Sequence, residues 1–450
     1  EEWAMTGYIV TTFEKDGRLA EYTAELASVP DEQGQELHLV NLYPQVRYQT
    51  FLGFGGAITE AVGLVLQALP PETARQVLNS YYGPSGIGYS LVRTHLDSCD
   101  FSRENYCASE DEDTDFSTFS LRHDERNIIP YILMAEELAG KKLPVMLSPW
   151  SPPAFMKTNG SRNGGGKLRL EYADLWARYI CKYIHEYRRR GVQVTRLSIQ
   201  NEPNAAQTWD SCLYSAQEER DFLIKHLHPT LVENGLGDLE VFVWDHNKER
   251  MFERTAQCIT TETDRMVAGV AFHWYSGDHF DAVRLVRECF PNKLLMFSEG
   301  CIEYSRFDKT QALKNAQMYA HDMIGNLNAG MNLFIDWNIA LNEEGGPNHV
   351  GNFCEAPVIC DTRTGQINYK PSFYYIAHFS RHIKEHARRI ATTCYSEKME
   401  VTAFENPDST IAVILLNRTT EKLPATLRLE GELFYVPCPP CSISTIVIKS

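Results

Sequence analysis

Between Phe51 and Asn338 eight short apolar, β-rich runs alternate with helical stretches, and few architectures accommodate that alternation. The runs are Phe51 to Gly56, Tyr89 to Asp97, Leu143 to Trp150, Val194 to Asn201, Leu239 to Asp245, Val267 to Tyr275, Lys293 to Glu299 and Met331 to Asn338. Between the third and fourth, Tyr172 to Arg189 places Leu175, Tyr179 and Ile180 at helical spacing, and Gly191 follows as a C-terminal stop. Eight such units predict an α/β fold, a (β/α)8 TIM barrel. A doubly wound sheet would carry GxGxxG or GxxxxGK[ST] after its first strand. Gly53-Phe-Gly-Gly56 is too short and lacks that spacing.

The flanks read differently. Tyr8 to Phe13 and Leu37 to Leu42 are strand-like, with Asp16-Gly17 as a turn. Met399 to Phe404, Ile411 to Leu416, Ala425 to Leu429 and Ser444 to Ile448 repeat the pattern near the other end. We expect one β-sandwich side domain built from both termini: residues 1–50 supply its N-terminal strands, 51–385 form the catalytic barrel, and 386–450 supply the C-terminal strands.

Charge narrows the ligand. The net charge is −16, from 43 Lys+Arg against 59 Asp+Glu, with no long basic run. That disfavours nucleic acid and suits a neutral small molecule such as a sugar. The run Glu110 to Asp113 reads as a solvated loop. No uncharged apolar stretch of about 18 residues suggests a membrane span. The 12 cysteines are scattered and do not form a disulfide framework, and Cys438-Pro-Pro-Cys441 has no second pair beside it. There is no HExxH and no Cys/His cluster, so neither a metal nor a cofactor is expected. No GxSxG favours an esterase. The chain opens at Glu1 without a signal-peptide pattern, so a signal is absent or removed.

In such a barrel, chemistry sits at the C-terminal ends of the strands. These ends are polar or aromatic: Arg93 to Asp97 with Asp100 behind, Ser148 to Trp150, Gln200 to Pro203, Trp244 to His246, His273 to Tyr275, Ser298 to Gly300 and Asp336 to Asn338. Glu202 and Glu299 each follow an apolar run, on the fourth and seventh units, so both can face the barrel mouth. Two carboxylates at a cleft suit glycosidic bond cleavage, one acting on the leaving oxygen and the other on the anomeric carbon. The competing readings are a helix start at Asn201-Glu-Pro203 and an ion-paired strand end at Glu299.

The surroundings suggest further roles. Asn201 can bond a sugar 2-hydroxyl. Trp150, Trp274, Tyr275 and Trp337 can stack on a sugar face or pack in the core. Arg93 can hold the nucleophilic carboxylate ionised or form an internal salt bridge. Asp100 can accept from sugar hydroxyls or cap a loop. His273 can shuttle a proton or serve as a hydrogen-bonded scaffold. An acid at Glu202 must keep its proton, so its pKa is expected to be raised by Glu299 nearby.

These segments resemble glycoside hydrolase family 30, in the glucosylceramidase (lysosomal acid β-glucosidase) branch. The resemblance rests on Gly53 to Glu60, Ser98 to Ser102, Ser148 to Pro153, Lys157 to Gly160, Asn201 to Pro203, His273 to Tyr275, Ser298 to Cys301, Asp336 to Asn348 and Phe373 to Ser380. It implies Glu202 as acid/base and Glu299 as nucleophile of a retaining exo-β-glucosidase. It also implies Arg93, Asp100, Trp150, Asn201, His273, Tyr275, Trp337 and Asn352 as substrate-binding residues, in a barrel joined to a β-sandwich. The substrate would be a glycoside or glycolipid, with peripheral lipid contact as an option.

A β-xylosidase, β-fucosidase or β-1,6-glucanase of the family is the alternative, and a non-catalytic sugar- or lipid-binding barrel the remote one. Three departures stand out. The N-terminal segment lacks the paired cysteines of lysosomal members, which favours an intracellular microbial member. Gly300 stands where those members carry Ala. The loop Ala205 to Cys212, with Trp209, differs on the aglycone side, so the resemblance reaches the sugar site further than it reaches ceramide.

Overall fold

A computed structural model describes residues 4–449. Eight parallel strands close a barrel: β1 (Gly53–Ala57), β2 (Leu91–Leu96), β3 (Val145–Pro149), β4 (Val194–Ser198), β5 (Glu240–Asn247), β6 (Gly269–His273), β7 (Leu294–Glu299) and β8 (Leu333–Asn338). The expected TIM barrel is therefore present, strand for strand. Most residues of these strands are buried, because helices and loops cover one face and side chains fill the other. That double burial is why the strands read as continuous apolar runs. Gly55 and Gly56 belong to strand packing: a Cβ on Gly55 would stand 2.1 Å from the Leu91 carbonyl oxygen, and one on Gly56 2.4 Å from Ile339 Cγ2. Phe297 stacks on Phe334 at 4.9 Å inside the barrel.

The helix expected after the third strand runs Ala173–Arg189. It starts with Asp174 and ends with Arg188 and Arg189, charges that suit its dipole. Gly191 follows in the left-handed region at φ 85°. The helix turns Tyr179, Tyr183 and Tyr187 onto buried acids. Tyr179 donates to Asp97 at 2.8 Å, and Tyr183 and Tyr187 donate to Asp124 at 2.8 and 2.5 Å.

Two register shifts matter for the site. Along β6, Ala271 pairs with Trp244 but Phe272 pairs with His246, so Asp245 is an extra residue in β5. Phe272 pairs with Phe297 but His273 pairs with Glu299. Bulges of this kind re-aim side chains. Trp244 and Asp245 adopt φ of 74° and 55°, a conformation that non-glycine residues enter only when their surroundings enforce it.

Of the remaining strands, ten form one sheet, and Ala340–Asn342, Val358–Cys360 and Ile367–Tyr369 form a small three-stranded one. Thr6–Lys15 pairs antiparallel with both Arg18–Ala27 and Ser442–Lys449, so the two ends of the chain share a sheet. Ile411–Asn417, Met399–Glu405, Arg388–Cys394, Leu39–Thr50, Ala425–Leu429 and Glu432–Val436 continue it. It wraps a single apolar core that includes Ile9, Leu42, Val413, Leu427, Phe434 and Ile446. This is the expected β-sandwich. Cys438 lies in that core and all 12 cysteines are free. By packing, residues 4–53, 310–332 and 369–449 form one unit, and residues 54–309 and 333–368 form the other. No helix among the described residues is long and apolar enough to cross a membrane.

Candidate active site

Glu299 is the last residue of β7, and Glu202 stands in a turn four residues beyond β4. They are 6% and 9% exposed. No helix starts at Asn201-Glu-Pro203; the next begins at Ala216. Glu202 instead takes φ 47°, and its N–H donates to the Asp245 carbonyl at 2.9 Å. One carboxylate oxygen of each glutamate and one ring nitrogen of His273 all lie within 4.8 Å of each other.

Arg93, on β2, binds this group from beneath. Its guanidinium donates to Glu299 Oε1, Asn201 Oδ1 and Asp245 Oδ2, each at 2.9 Å, and to Ser148 Oγ at 3.1 Å. Tyr275 donates its hydroxyl to Glu299 Oε2 at 2.8 Å, so both oxygens of Glu299 are held. His273 donates from Nδ1 to Glu202 Oε1 and from Nε2 to Asp245 Oδ1, both at 2.9 Å. Burial opposes charge on the imidazole. The Glu299 charge and the bonds to Asp245 and Glu202 outweigh it and push the His273 pKa up to about 9.

Asp245 is the hub that sequence reasoning left out. It is fully buried, and its two oxygens receive Arg93, His273, Ser198 Oγ at 2.7 Å and Ser298 Oγ at 2.6 Å. Burial alone would raise its pKa, but Arg93 and His273 hold it far below the usual carboxylate range. Two fixed cations thus face one fixed anion and the glutamate pair, and neutrality leaves the pair one proton to share. Within the pair, burial and the Glu202 charge raise Glu299 against His273 and Arg93. Burial also raises Glu202, but His246 and His273 lower it overall. The expectation of a raised Glu202 is thereby corrected: the histidines that face it reverse the sign, and Glu299 carries the upward shift.

The glutamates open on a cavity of about 260 Å³. Asp100, Trp150, Asn201, Tyr275, Trp337 and Asn352 line it with them. Trp150 and Trp337 stack at 5.4 Å, and the Arg93 guanidinium carbon lies 4.9 Å from the Trp150 ring. Burial, then the charges of Glu299 and Asp210, raise Asp100 well above its usual pKa. Arg93 and His273 were expected to bind substrate. Both are fully buried behind the carboxylates and neither reaches the cavity. Their part is to hold the acids in place. Trp274 is also removed from the sugar face: it packs edge-on to Phe297 at 6.0 Å and donates to the Cys301 carbonyl at 3.3 Å.

Loops complete the mouth. His349 bonds Asp210 Oδ1 at 3.0 Å, tying the loop that carries Asn352 to the loop after Glu202. Asp210 also accepts from Ser98 Oγ at 2.7 Å and Arg162 Nε at 2.9 Å. Asn348 Nδ2 donates to Asp100 at 3.2 Å. Neither His349 nor Asp210 carries a motif. Only Asp245 had a sequence signal, as the end of a β run.

Residues 51–383 match the Glycosyl hydrolase family 30 TIM-barrel domain, and residues 386–446 the Glycosyl hydrolase family 30 beta sandwich domain. The lysosomal acid glucosylceramidase of Mus musculus is 33% identical over 408 residues, 86% of this chain and 79% of that one. The endo-1,6-beta-D-glucanase of Neurospora crassa is 25% identical over 388 residues, 83% and 79%. SrfJ from Salmonella typhimurium superposes with a TM-score of 0.93 at 36% identity, covering 99% of this chain and all of that one. With both of its domains matched and a paired-carboxylate cavity at the barrel mouth, the chain belongs to glycosyl hydrolase family 30 and is a glycoside hydrolase.

Proposed function

We propose that the protein is a retaining, exo-acting β-glucosidase of the glucosylceramidase type, removing a terminal β-linked glucose by double displacement. The approach of two carboxylate oxygens within 4.8 Å carries this reading. Retaining enzymes hold their carboxyls about 5–5.5 Å apart, whereas inverting ones leave about 6.5–9.5 Å for a water.

Glu299 attacks the anomeric carbon. Arg93 and Tyr275 fix its two oxygens, and their hydrogen bonds oppose the burial that raises its pKa. The pair's shared proton passes from Glu299 to Glu202 as Glu299 becomes the nucleophile; Glu202, beside the leaving oxygen, delivers it and then draws a proton from the water that cleaves the glycosyl-enzyme. Hydrogen bonding distinguishes the roles: Glu299 faces two donors that serve an anion, and Glu202 faces the cavity with one. Asn201, held by Arg93, is placed for the 2-hydroxyl. Asp100, Trp150 and Asn352, which line the cavity, take the non-reducing hydroxyls in this reading, and a pocket closed at that end acts on terminal units.

The test is turnover of an aryl β-glucoside with the product anomer followed by NMR. The β-anomer should appear first, and Glu299→Gln should abolish nearly all turnover. An α-anomer, or wild-type rate in Glu299→Gln, overturns the reading. Aryl xylosides and fucosides in the same panel separate the other sugars. The Neurospora crassa relative supports β-1,6-glucan as a second reading, which product length distinguishes.

A further inference from the structure

We infer that the buried pair Glu219–Arg254 positions the acid/base, by holding both the turn that carries Glu202 and the bulge that carries Asp245. This rests on the reading of Glu202 as the acid/base. Glu219 lies on the helix Ala216–Phe222 that follows β4, and Arg254 on the helix Met251–Cys258 that follows β5. They are 0% and 5% exposed, and neither lines the cavity. Arg254 Nη1 donates to Glu219 Oε2 at 2.7 Å. A buried ion pair gains little over apolar side chains of similar volume, because desolvation offsets the attraction. What this pair adds is direction, imposed on two segments that meet at Glu202.

The first segment is the bulge. Glu219 Oε1 accepts the backbone N–H of Trp244 at 3.0 Å. The Arg254 guanidinium carbon lies 4.8 Å from the Trp244 ring, whose indole N–H donates to the Asn247 carbonyl at 2.8 Å. Trp244 and Asp245 are the left-handed residues of β5, and such a backbone persists only where its surroundings enforce it. A buried N–H needs an acceptor, so the Glu219 oxygen fixes where β5 departs from regular pairing. Glu202 feels that departure twice. The Asp245 carbonyl receives the Glu202 N–H at 2.9 Å, and the Asp245 carboxylate holds His273, which donates to Glu202 Oε1.

The second segment is the turn itself. Arg254 Nη2 donates to Asn204 Oδ1 at 2.8 Å and to the Tyr214 carbonyl at 2.9 Å. Tyr214 N donates in turn to the Pro203 carbonyl at 2.9 Å. One planar fork therefore ties the residues just after Glu202 to the helix that follows β5. A lysine ammonium, with a single nitrogen, does not span those acceptors.

Glu299 depends on the pair much less. Arg93 keeps Ser148 and Asn201 as acceptors besides Asp245, and Tyr275 holds the second oxygen of Glu299. Loosening the pair thus misplaces the proton donor more than the nucleophile.

The experiment measures kcat/KM on two aryl β-glucosides, a dinitrophenyl glucoside with a good leaving group and a phenyl glucoside with a poor one. Protonation of the leaving oxygen matters for the second and little for the first. The ratio of the two values, taken on one preparation, does not depend on the fraction of enzyme that is folded. Arg254→Lys should lose about tenfold more on the phenyl than on the dinitrophenyl glucoside, a part of what general acid catalysis is worth. Asn204→Ala, at an exposed position, leaves the buried pair intact and should shift the ratio the same way by about threefold. An unchanged ratio in either variant overturns the inference. Glu202→Ala is the reference: if it costs both substrates equally, the acid/base reading fails and takes this inference with it.

Discussion

His273 Nε2 stands 2.9 Å from Asp245 Oδ1, on adjacent strands, with both side chains fully sealed from solvent. The other oxygen of Asp245 holds Arg93 at the same distance. One carboxylate therefore anchors both cations that position the glutamate pair, and it reaches them only because β5 bulges at that residue.

Asp245→Asn keeps the shape of the side chain and tolerates the left-handed backbone but removes the charge. Arg93 and His273 then lose their fixed counter-ion, and the His273 pKa falls from about 9. We expect kcat/KM to drop by roughly 10²-fold, the cost of misplacing reacting groups, and the basic limb of the pH–rate profile to move to lower pH. Truncation to Ala should also cost about 3–5 kcal/mol of stability, as breaking a buried ion pair does. A profile in Asp245→Asn that overlays wild type would refute the hub role.

Stability should decline as pH rises through the alkaline range. The folded His273 pKa of about 9 lies above the 6.5 of the free side chain, so protonation favours the folded state. That contribution is complete below pH 6.5 and is lost between 6.5 and about 9. The difference is worth about 3 kcal/mol. Urea melts across this window should show the slope in wild type and a flatter line in His273→Gln. Parallel slopes would count against a buried imidazolium.

Gly300 follows the nucleophile and has no room for a methyl group. A Cβ there would stand 2.4 Å from Phe297 Cζ and 3.1 Å from Trp274 Cδ2 and Cε2. Phe297 cannot swing aside freely, because it stacks on Phe334 within 4° of parallel. Gly300→Ala should cost about 1–3 kcal/mol and lower kcat, since the displaced strand end carries Glu299. Thermal melts and aryl-glucoside kinetics measure both, and an Ala variant with unchanged melting would show that the ring shifts at little cost.

The His349–Asp210 contact should act on binding and not on chemistry. It spans two loops over the cavity, and its loss frees the segment that carries Asn352. His349→Ala should raise KM about tenfold, the worth of one charge-assisted hydrogen bond, with kcat changed much less. A fall in kcat at constant KM would instead place His349 in the chemical step.

Sequence alone determined the barrel and the sandwich, and it singled out the two glutamates that the fold brings together. Parallel strands buried on both faces leave continuous apolar runs, and a carboxylate closing such a run is conspicuous because little else there is charged. Three-dimensional folding decided the rest. Side-chain direction follows from strand alternation only while register is unbroken. The bulges at Asp245 and Ser298 break it, so the hub, and the concealment of Arg93 and His273 behind the acids, could not be read from the chain. The division of the proton between Glu202 and Glu299 depends on charges drawn from β2, β5 and β6, up to 180 residues apart from Arg93 to His273, whose distances exist only once the barrel has closed.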